Sequence, residues 1–199
     1  MNIGVLGGTF DPIHFGHLGL AEEARATLAL ADVLFVPAGR PWLKANTPIS
    51  AAEHRAEMVR LAIADKPYFK LSTMEIERAS PSYTVDTIAE LQARFGADNK
   101  LFLILGRDSL TEFPRWREAA RLIQMCHLVV ASRPSYPYPD LNYLDSLIPG
   151  MSQRVTILDK PEIDISASDI RSWVARGLSI SHLVPNPVEG YIKQHKLYI

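Results

Sequence analysis

The stretch Gly4–Leu18, GVLGGTFDPIHFGHL, decides the fold. An apolar run, Ile3–Leu6, enters it, and two adjacent glycines, a proline and two histidines follow. It reads as a buried strand that leaves through a glycine turn into a helix from His17 to about Leu28. In an open α/β sheet, ligands bind outside the carboxyl ends of the strands, so this connection lies at the binding edge. Gly7 and Gly8 remove side chains there and let a ligand approach the backbone. The incoming helix offers unpaired N–H groups and the positive end of its dipole, which suits a phosphate. His14 and His17 are three residues apart and so face the same way on a first turn. Imidazole is a compact donor that carries charge near neutral pH, and two of them at this place suit a polyphosphate. A His-x-x-His pair can also bind metal or be satisfied by backbone carbonyls. Structural zinc wants four ligands and no cysteine is near, so the phosphate reading is favoured and no protein-held metal is expected. Neither the P-loop pattern G-x-x-x-x-G-K-[ST] nor the dinucleotide pattern G-x-G-x-x-G is present.

Outward from this stretch the chain alternates strand-like and helix-like segments. Strands are expected at NIGVLG from Asn2, DVLFVPA from Asp32, FKLSTMEI from Phe69, KLFLILG from Lys100, HLVVASR from His127 and RVTILD from Arg154. Several are apolar on both faces, as central parallel strands are. Helices are expected after Ser50, where Ser50 and Glu53 form a capping box, over TVDTIAELQARFG with Gly96 as its stop, over RWREAARLIQM, over SASDIRSWVARG and over NPVEGYIKQHKL. The Pro-rich SRPSYPYPDLNY reads as a surface loop. The expected fold is α/β, a doubly wound parallel sheet of Rossmann-like type. One domain is expected over residues 1–199, with a small helical part from about residue 166.

The 199 residues are 47% hydrophobic, enough for a core without staples. A net charge of −1 without a basic block argues against nucleic-acid binding. The single cysteine, Cys126, excludes an internal disulfide and reads as a buried small hydrophobe. No secretory signal and no apolar run of bilayer length is visible, so a cytoplasmic protein with no membrane partner is expected. The sequence sets no oligomeric state.

Two segments carry a resemblance. GGTFDPIHFGHL resembles the signature of the nucleotidyltransferase superfamily with a His-x-Gly-His element, here HFGH. About 150 residues later, ISASDIRSWVARG resembles that superfamily's second signature, a Ser-x-Ser/Thr-x-x-Arg helix start. Between and after them, VPAGRPWLK, SPSYTVDTIAEL, LGRDSLTEFPRW, VVASRP and LVPNPVEGYIKQHKLY are similar, in order and spacing, to the bacterial nicotinate-nucleotide adenylyltransferases. One departure is visible: PWLK stands where the family often has Pro-Pro-His-Lys, so a ligand-facing His is missing while Lys44 is kept.

The resemblance implies a reaction of ATP with nicotinate mononucleotide, giving the deamido dinucleotide and pyrophosphate by in-line displacement. It implies catalytic roles for His14, His17, Lys44 and Arg171, and ATP contacts at Gly7, Gly8, Thr9, Phe10, His14, His17, Ser166, Ser168 and Arg171. Ser166 and Ser168 precede a helix and also suit a cap. For the mononucleotide it implies Lys44, Thr84, Asp108, Trp116 and Arg117: Trp116 as a platform for the ring, Thr84 and N–H groups near Trp116 and Arg117 for the ring carboxylate, Asp108 for a ribose hydroxyl. Packing is the competing reading for Trp116, a surface cap for Asp108, and a solvated side chain for Lys44. Phe113 and Tyr83 read as packing, and Arg133 as near the adenine or phosphate edge. Mg²⁺ is expected, held mainly by the ATP phosphates. Three alternatives stay open: the same chemistry on nicotinamide mononucleotide, on phosphopantetheine or a polar alcohol phosphate, or a non-catalytic nucleotide-binding regulator.

Overall fold

A computed structural model describes residues 1–41, 48–96, 98–131, 140–160 and 165–199. Its centre is a six-stranded parallel sheet: β1 (Asn2–Gly8), β2 (Asp32–Pro37), β3 (Phe69–Leu71), β4 (Lys100–Gly106), β5 (His127–Ala131) and β6 (Val155–Leu158). The order is β3-β2-β1-β4-β5-β6, so the strand order reverses between β1 and β4. That is the doubly wound order expected from the alternating pattern.

The apolar alternation in β4 shows why the sheet is covered on both faces. Phe102 and Ile104 join one core with Leu6, Val33 and Val129. Leu101, Leu103 and Leu105 join the other with Ile3, Val5, Leu128 and Val130. The first core is closed by α1 (Phe15–Leu28), α2 (Ala52–Ala62), α8 (Ala167–Ala175) and α9 (Asn186–Gln194), whose Ala21, Met58, Ile170 and Val188 point into it. The second is closed by α4 (Thr84–Phe95), α5 (Arg107–Glu112), α6 (Ala119–Met125) and α7 (Leu141–Leu147) through Ile88, Leu110, Leu122 and Leu144. Cys126 is buried in this core, and burial pushes its thiol up to about 12, as a small hydrophobe rather than a nucleophile.

Several local expectations are corrected. Helix α1 begins at Phe15, because His14, in extended geometry, is its N-cap. The capping box at Ser50 does not form: Ala51 is the N-cap of α2, and Ser50 gives its backbone to Asp11 and Arg55 instead. Strand β3 ends at Leu71, and Met74–Glu77 turn into a short helix, α3, as the Thr73 carbonyl accepts from Ile76 and Glu77. RWREAARLIQM is not one helix: a 3-10 turn covers Phe113–Arg115, Glu118 takes a left-handed φ of 52°, and only then does α6 begin. Asp140 caps α7, accepting from the Tyr143 N–H, so the end of the expected Pro-rich loop is helical. Helix α4 ends at Gly96, φ 82°, as its sequence requires.

Candidate active site

The ends of β1 and β4 define the crevice. Leu6 faces Ile104 across the two strands, and two residues further on each strand ends in glycine, Gly8 and Gly106. Gly7 is exposed, and a side chain built on it would meet only open space. Gly8 has a second use: a Cβ there would press on the Phe10 ring at 3.1 Å. Phe10 turns back with a φ of 50° and buries its ring in the first core, edge-on to His17 at 4.9 Å. Only the backbone of Phe10 is therefore left to face a ligand.

The two histidines come together at the start of α1. Their rings stack at 3.7 Å and 27°. The His14 N–H donates to His17 Nδ1 at 3.3 Å, which fixes Nδ1 as an acceptor and assigns the proton of a neutral ring to Nε2. His14 is buried and His17 is half-buried, its ring braced by Phe10 on one side and His14 on the other. The pair is thus a rigid edge of imidazole at a helix N-terminus.

Helix α8 delivers the guanidinium. Ser166 is its N-cap, accepting from the Ser168 N–H at 3.2 Å. Arg171 Nη1 donates to the Asp11 carbonyl at 2.7 Å, and Nη2 donates to Ser168 Oγ at 3.2 Å. Ser166, Ser168 and Arg171 are therefore joined by hydrogen bonds to the histidine loop.

A second cluster lies at the start of α4. Thr84 is its first residue. The Arg117 guanidinium sits 4.6 Å over the ring of Tyr83, the residue before Thr84 and the N-cap of α4. Trp116 is half-buried on Phe113, ring centroids 5.3 Å apart, and its indole Nε1 is buried with no hydrogen-bond partner among the described residues. Phe113 itself is wholly buried. Trp116 lies between the 3-10 turn and α6, not at a helix start. Asp108 occupies the second position of α5, exposed, with its carboxylate folded over Gly106. Lys44 and Arg133 lie outside the described residues.

The residues that hold these groups are ones the sequence reading missed. Asp11 is buried: Oδ1 accepts the Tyr198 hydroxyl at 2.6 Å, Oδ2 the Ser50 N–H at 3.1 Å. Arg55 is buried beside it, donating to the Thr9 carbonyl at 2.8 Å and the Ser50 carbonyl at 2.9 Å. Burial pulls the Arg55 guanidinium below its usual range, and the Asp11 charge opposes that. Burial, and then the Asp11 carboxylate, pushes the Tyr198 phenol far up, so it is a fixed donor. Glu75 is a second buried carboxylate, accepting from Thr87 Oγ1 at 2.6 Å; burial pushes its carboxyl up, and the Thr87 and Ser82 hydroxyls oppose that. Ser82 Oγ in turn accepts from the Gly39 and Arg40 N–H groups, tying the end of β2 to the entry of α4. One signal was legible: Arg55 shares a helical stripe with Met58, Val59 and Ala62, a charge where the pattern demands an apolar residue.

Residues 5–172 match the family model described as cytidylyltransferase-like. A protein of Dehalococcoides mccartyi (strain CBDB1) named "Probable nicotinate-nucleotide adenylyltransferase" is 47% identical over 198 residues, covering 100% of this chain and 97% of its own. The chain belongs to the nicotinate-nucleotide adenylyltransferase family. A family member of the same name from Roseiflexus sp. (strain RS-1) is 46% identical over 196 residues, covering 98% of this chain and 97% of its own. Among solved structures, the Plasmodium falciparum nicotinic acid mononucleotide adenylyltransferase complexed with NaAD superposes with a TM-score of 0.82 at 18% identity, covering 99% of this chain and 97% of that one. At that identity the likeness establishes the shared fold.

Proposed function

We propose that this protein transfers AMP from ATP to nicotinate mononucleotide, forming nicotinate adenine dinucleotide and pyrophosphate in NAD biosynthesis. The observation that carries the reading is the meeting of the stacked His14–His17 pair with Arg171 around the Asp11 loop at the β1/β4 switch point. The mononucleotide phosphate has a second pKa of about 6, so at neutral pH it is already mostly a dianion. One of its oxygens attacks the α-phosphorus of ATP, that bond forms, and the bond from the α-phosphorus to the bridging oxygen breaks as pyrophosphate leaves. No base, and no covalent intermediate, is required. The protein's work is to gather two anions and stabilise charge on the bridging oxygen.

In this reading His17 donates from Nε2 to the α-phosphate and His14 braces it. Gly7, Gly8, Thr9 and the Phe10 backbone border the nucleotide. A guanidinium has five N–H donors. Those Arg171 does not give to Asp11 and Ser168 take the β and γ phosphates, with Ser166 and Ser168 at the α8 terminus beside them. Lys44, assigned by the family resemblance alone, adds a positive charge for phosphate. Trp116, Thr84, Arg117 and Asp108 take the mononucleotide. Mg²⁺ fits as a passenger of ATP. Among the described residues no group of three or more His, Cys, Asp or Glu is arranged to hold a metal, and the Asp11 carboxylate is engaged by Tyr198 and Ser50. When bound, the ion would neutralise phosphate charge, with waters completing its shell. A cytoplasmic setting fits these substrates; among the described residues no helix is long and apolar enough to cross a membrane.

The test is an acceptor panel with ATP, following pyrophosphate release: nicotinate mononucleotide, nicotinamide mononucleotide and phosphopantetheine. Preference for the first is expected; preference for either other acceptor, or no release with any, overturns the assignment. His17→Ala is expected to lower turnover by orders of magnitude with the fold intact, and unchanged turnover removes its role.

A further inference from the structure

Asp11 has two sets of contacts with different clients. Its carbonyl receives Arg171 Nη1 at 2.7 Å. Its carboxylate receives the Tyr198 hydroxyl at 2.6 Å and the Ser50 N–H at 3.1 Å. Arg55 closes the frame by holding the carbonyls of Thr9 and Ser50. A carbonyl holds an arginine in place only as firmly as its own peptide is held. That carbonyl belongs to the Asp11–Pro12 peptide, in a turn outside strand and helix, with Pro12 and Ile13 buried beside it, and the side-chain hydrogen bonds of Asp11 tie this turn to the rest of the fold. Tyr198, 187 residues away in sequence, supplies the shorter of the two. Its ring is half-buried against the first core, and Met58 Sδ lies 4.0 Å from the hydroxyl, which limits how far the phenol can swing aside.

We propose that Tyr198 is a positioning residue for the transfer step: by fixing the Asp11 carboxylate it aims the Asp11 carbonyl, and through it the Arg171 guanidinium that receives the departing pyrophosphate. This rests on the reading of Arg171 as a triphosphate ligand. The Tyr198 hydroxyl is taken up by Asp11, with Met58 beside it. It acts through the first loop and α8, so its loss should be felt where Arg171 acts and not at the mononucleotide.

Tyr198→Phe removes only the hydroxyl. Tyr191→Phe is the control: its hydroxyl also makes a hydrogen bond, 2.8 Å to His54 Nδ1, but on the outer contact of α2 and α9. Melting temperatures and steady-state kinetics of both are measured with ATP and nicotinate mononucleotide varied in turn. The expected result is a loss of about tenfold in kcat/KM for ATP in Tyr198→Phe, with KM for the mononucleotide within about twofold of wild type, and kinetics within about twofold of wild type in Tyr191→Phe. Introduced into Arg171→Ala, Tyr198→Phe is expected to add less than about twofold, because its target is gone. Unchanged kinetics in Tyr198→Phe, equal loss for both substrates, or effects that multiply in the double variant would each overturn the inference. An Arg171→Ala variant with full activity would instead sink the site reading and take this inference with it.

Discussion

Gly106→Ala separates binding from stability in one step. Gly106 sits at the end of β4 with φ −73° and ψ 159°, a geometry open to any residue, so the substitution brings no backbone strain. Its cost lies in one contact. A Cβ there would stand 2.6 Å from Asp108 Oδ1, and the next nearest atom is the carboxyl carbon of the same side chain at 3.7 Å. Cβ contacts essentially never fall below 3.0 Å and are ordinary from 3.4 Å, so the carboxylate must turn away by several tenths of an ångström or more. Asp108 is exposed and able to turn, so the fold is expected to lose less than about 0.5 kcal/mol. A hydrogen bond to a charged group is worth about 1.5–3 kcal/mol, or about ten- to 150-fold in affinity. If Asp108 holds the ribose of the mononucleotide, Gly106→Ala should raise its KM within that range and leave KM for ATP unchanged. Asp108→Ala should do the same, and the double variant no more than either alone. The assay is initial-rate pyrophosphate release with each substrate varied. A Gly106→Ala enzyme with wild-type KM for the mononucleotide, alongside a defective Asp108→Ala enzyme, would refute the geometric argument. Wild-type values in both would refute the role of Asp108.

Trp116→Ala should raise KM for the mononucleotide about two- to twelvefold and leave KM for ATP alone, since aromatic stacking is worth about 0.5–1.5 kcal/mol; equal effects on both would make Trp116 a packing residue. Glu75→Gln should stabilise the protein in a pH-dependent way. Burial holds the folded carboxyl above its usual range, so the folded state binds the proton more tightly and stability falls as pH rises from the usual carboxylate range through the folded value. The variant should match wild type near pH 4 and exceed it at pH 8, where a gain of about 1 kcal/mol raises Tm by about 2–4 °C; a constant difference across pH would show that titration of Glu75 is not its source. Gly39→Ala should destabilise by about 1–3 kcal/mol or more in urea denaturation, because a Cβ would overlap the backbone carbonyl of Glu75; an unchanged midpoint would mean that the end of β2 moves aside freely.

The sheet was legible because parallel strands covered on both faces advertise themselves as unbroken apolar runs; KLFLILG and DVLFVP could be little else. The histidine edge was legible because glycines, proline and imidazoles sit within one short segment. What stayed hidden has two physical causes. Glu118 adopts a left-handed conformation without being glycine or asparagine, so the periodic RWREAARLIQM gave no sign that it breaks before Ala119. The frame around Asp11 joins residues 39, 46 and 187 positions apart, and no local pattern encodes such meetings. Ser50 misled for the same reason: its residue type suits a cap, but Asp11 and Arg55 claim its backbone.

The tie between Asp11 and Arg171 runs through a main-chain oxygen, which every amino acid possesses. The tie to Tyr198 runs through a carboxylate, which few do. Over evolutionary time, then, exchange at position 11 cannot erase the arginine's anchor outright, but it immediately changes what position 198 must offer. Across descendants of this gene, identities at 11 and 198 should drift together, while 11 and 171 vary without statistical notice of one another despite touching.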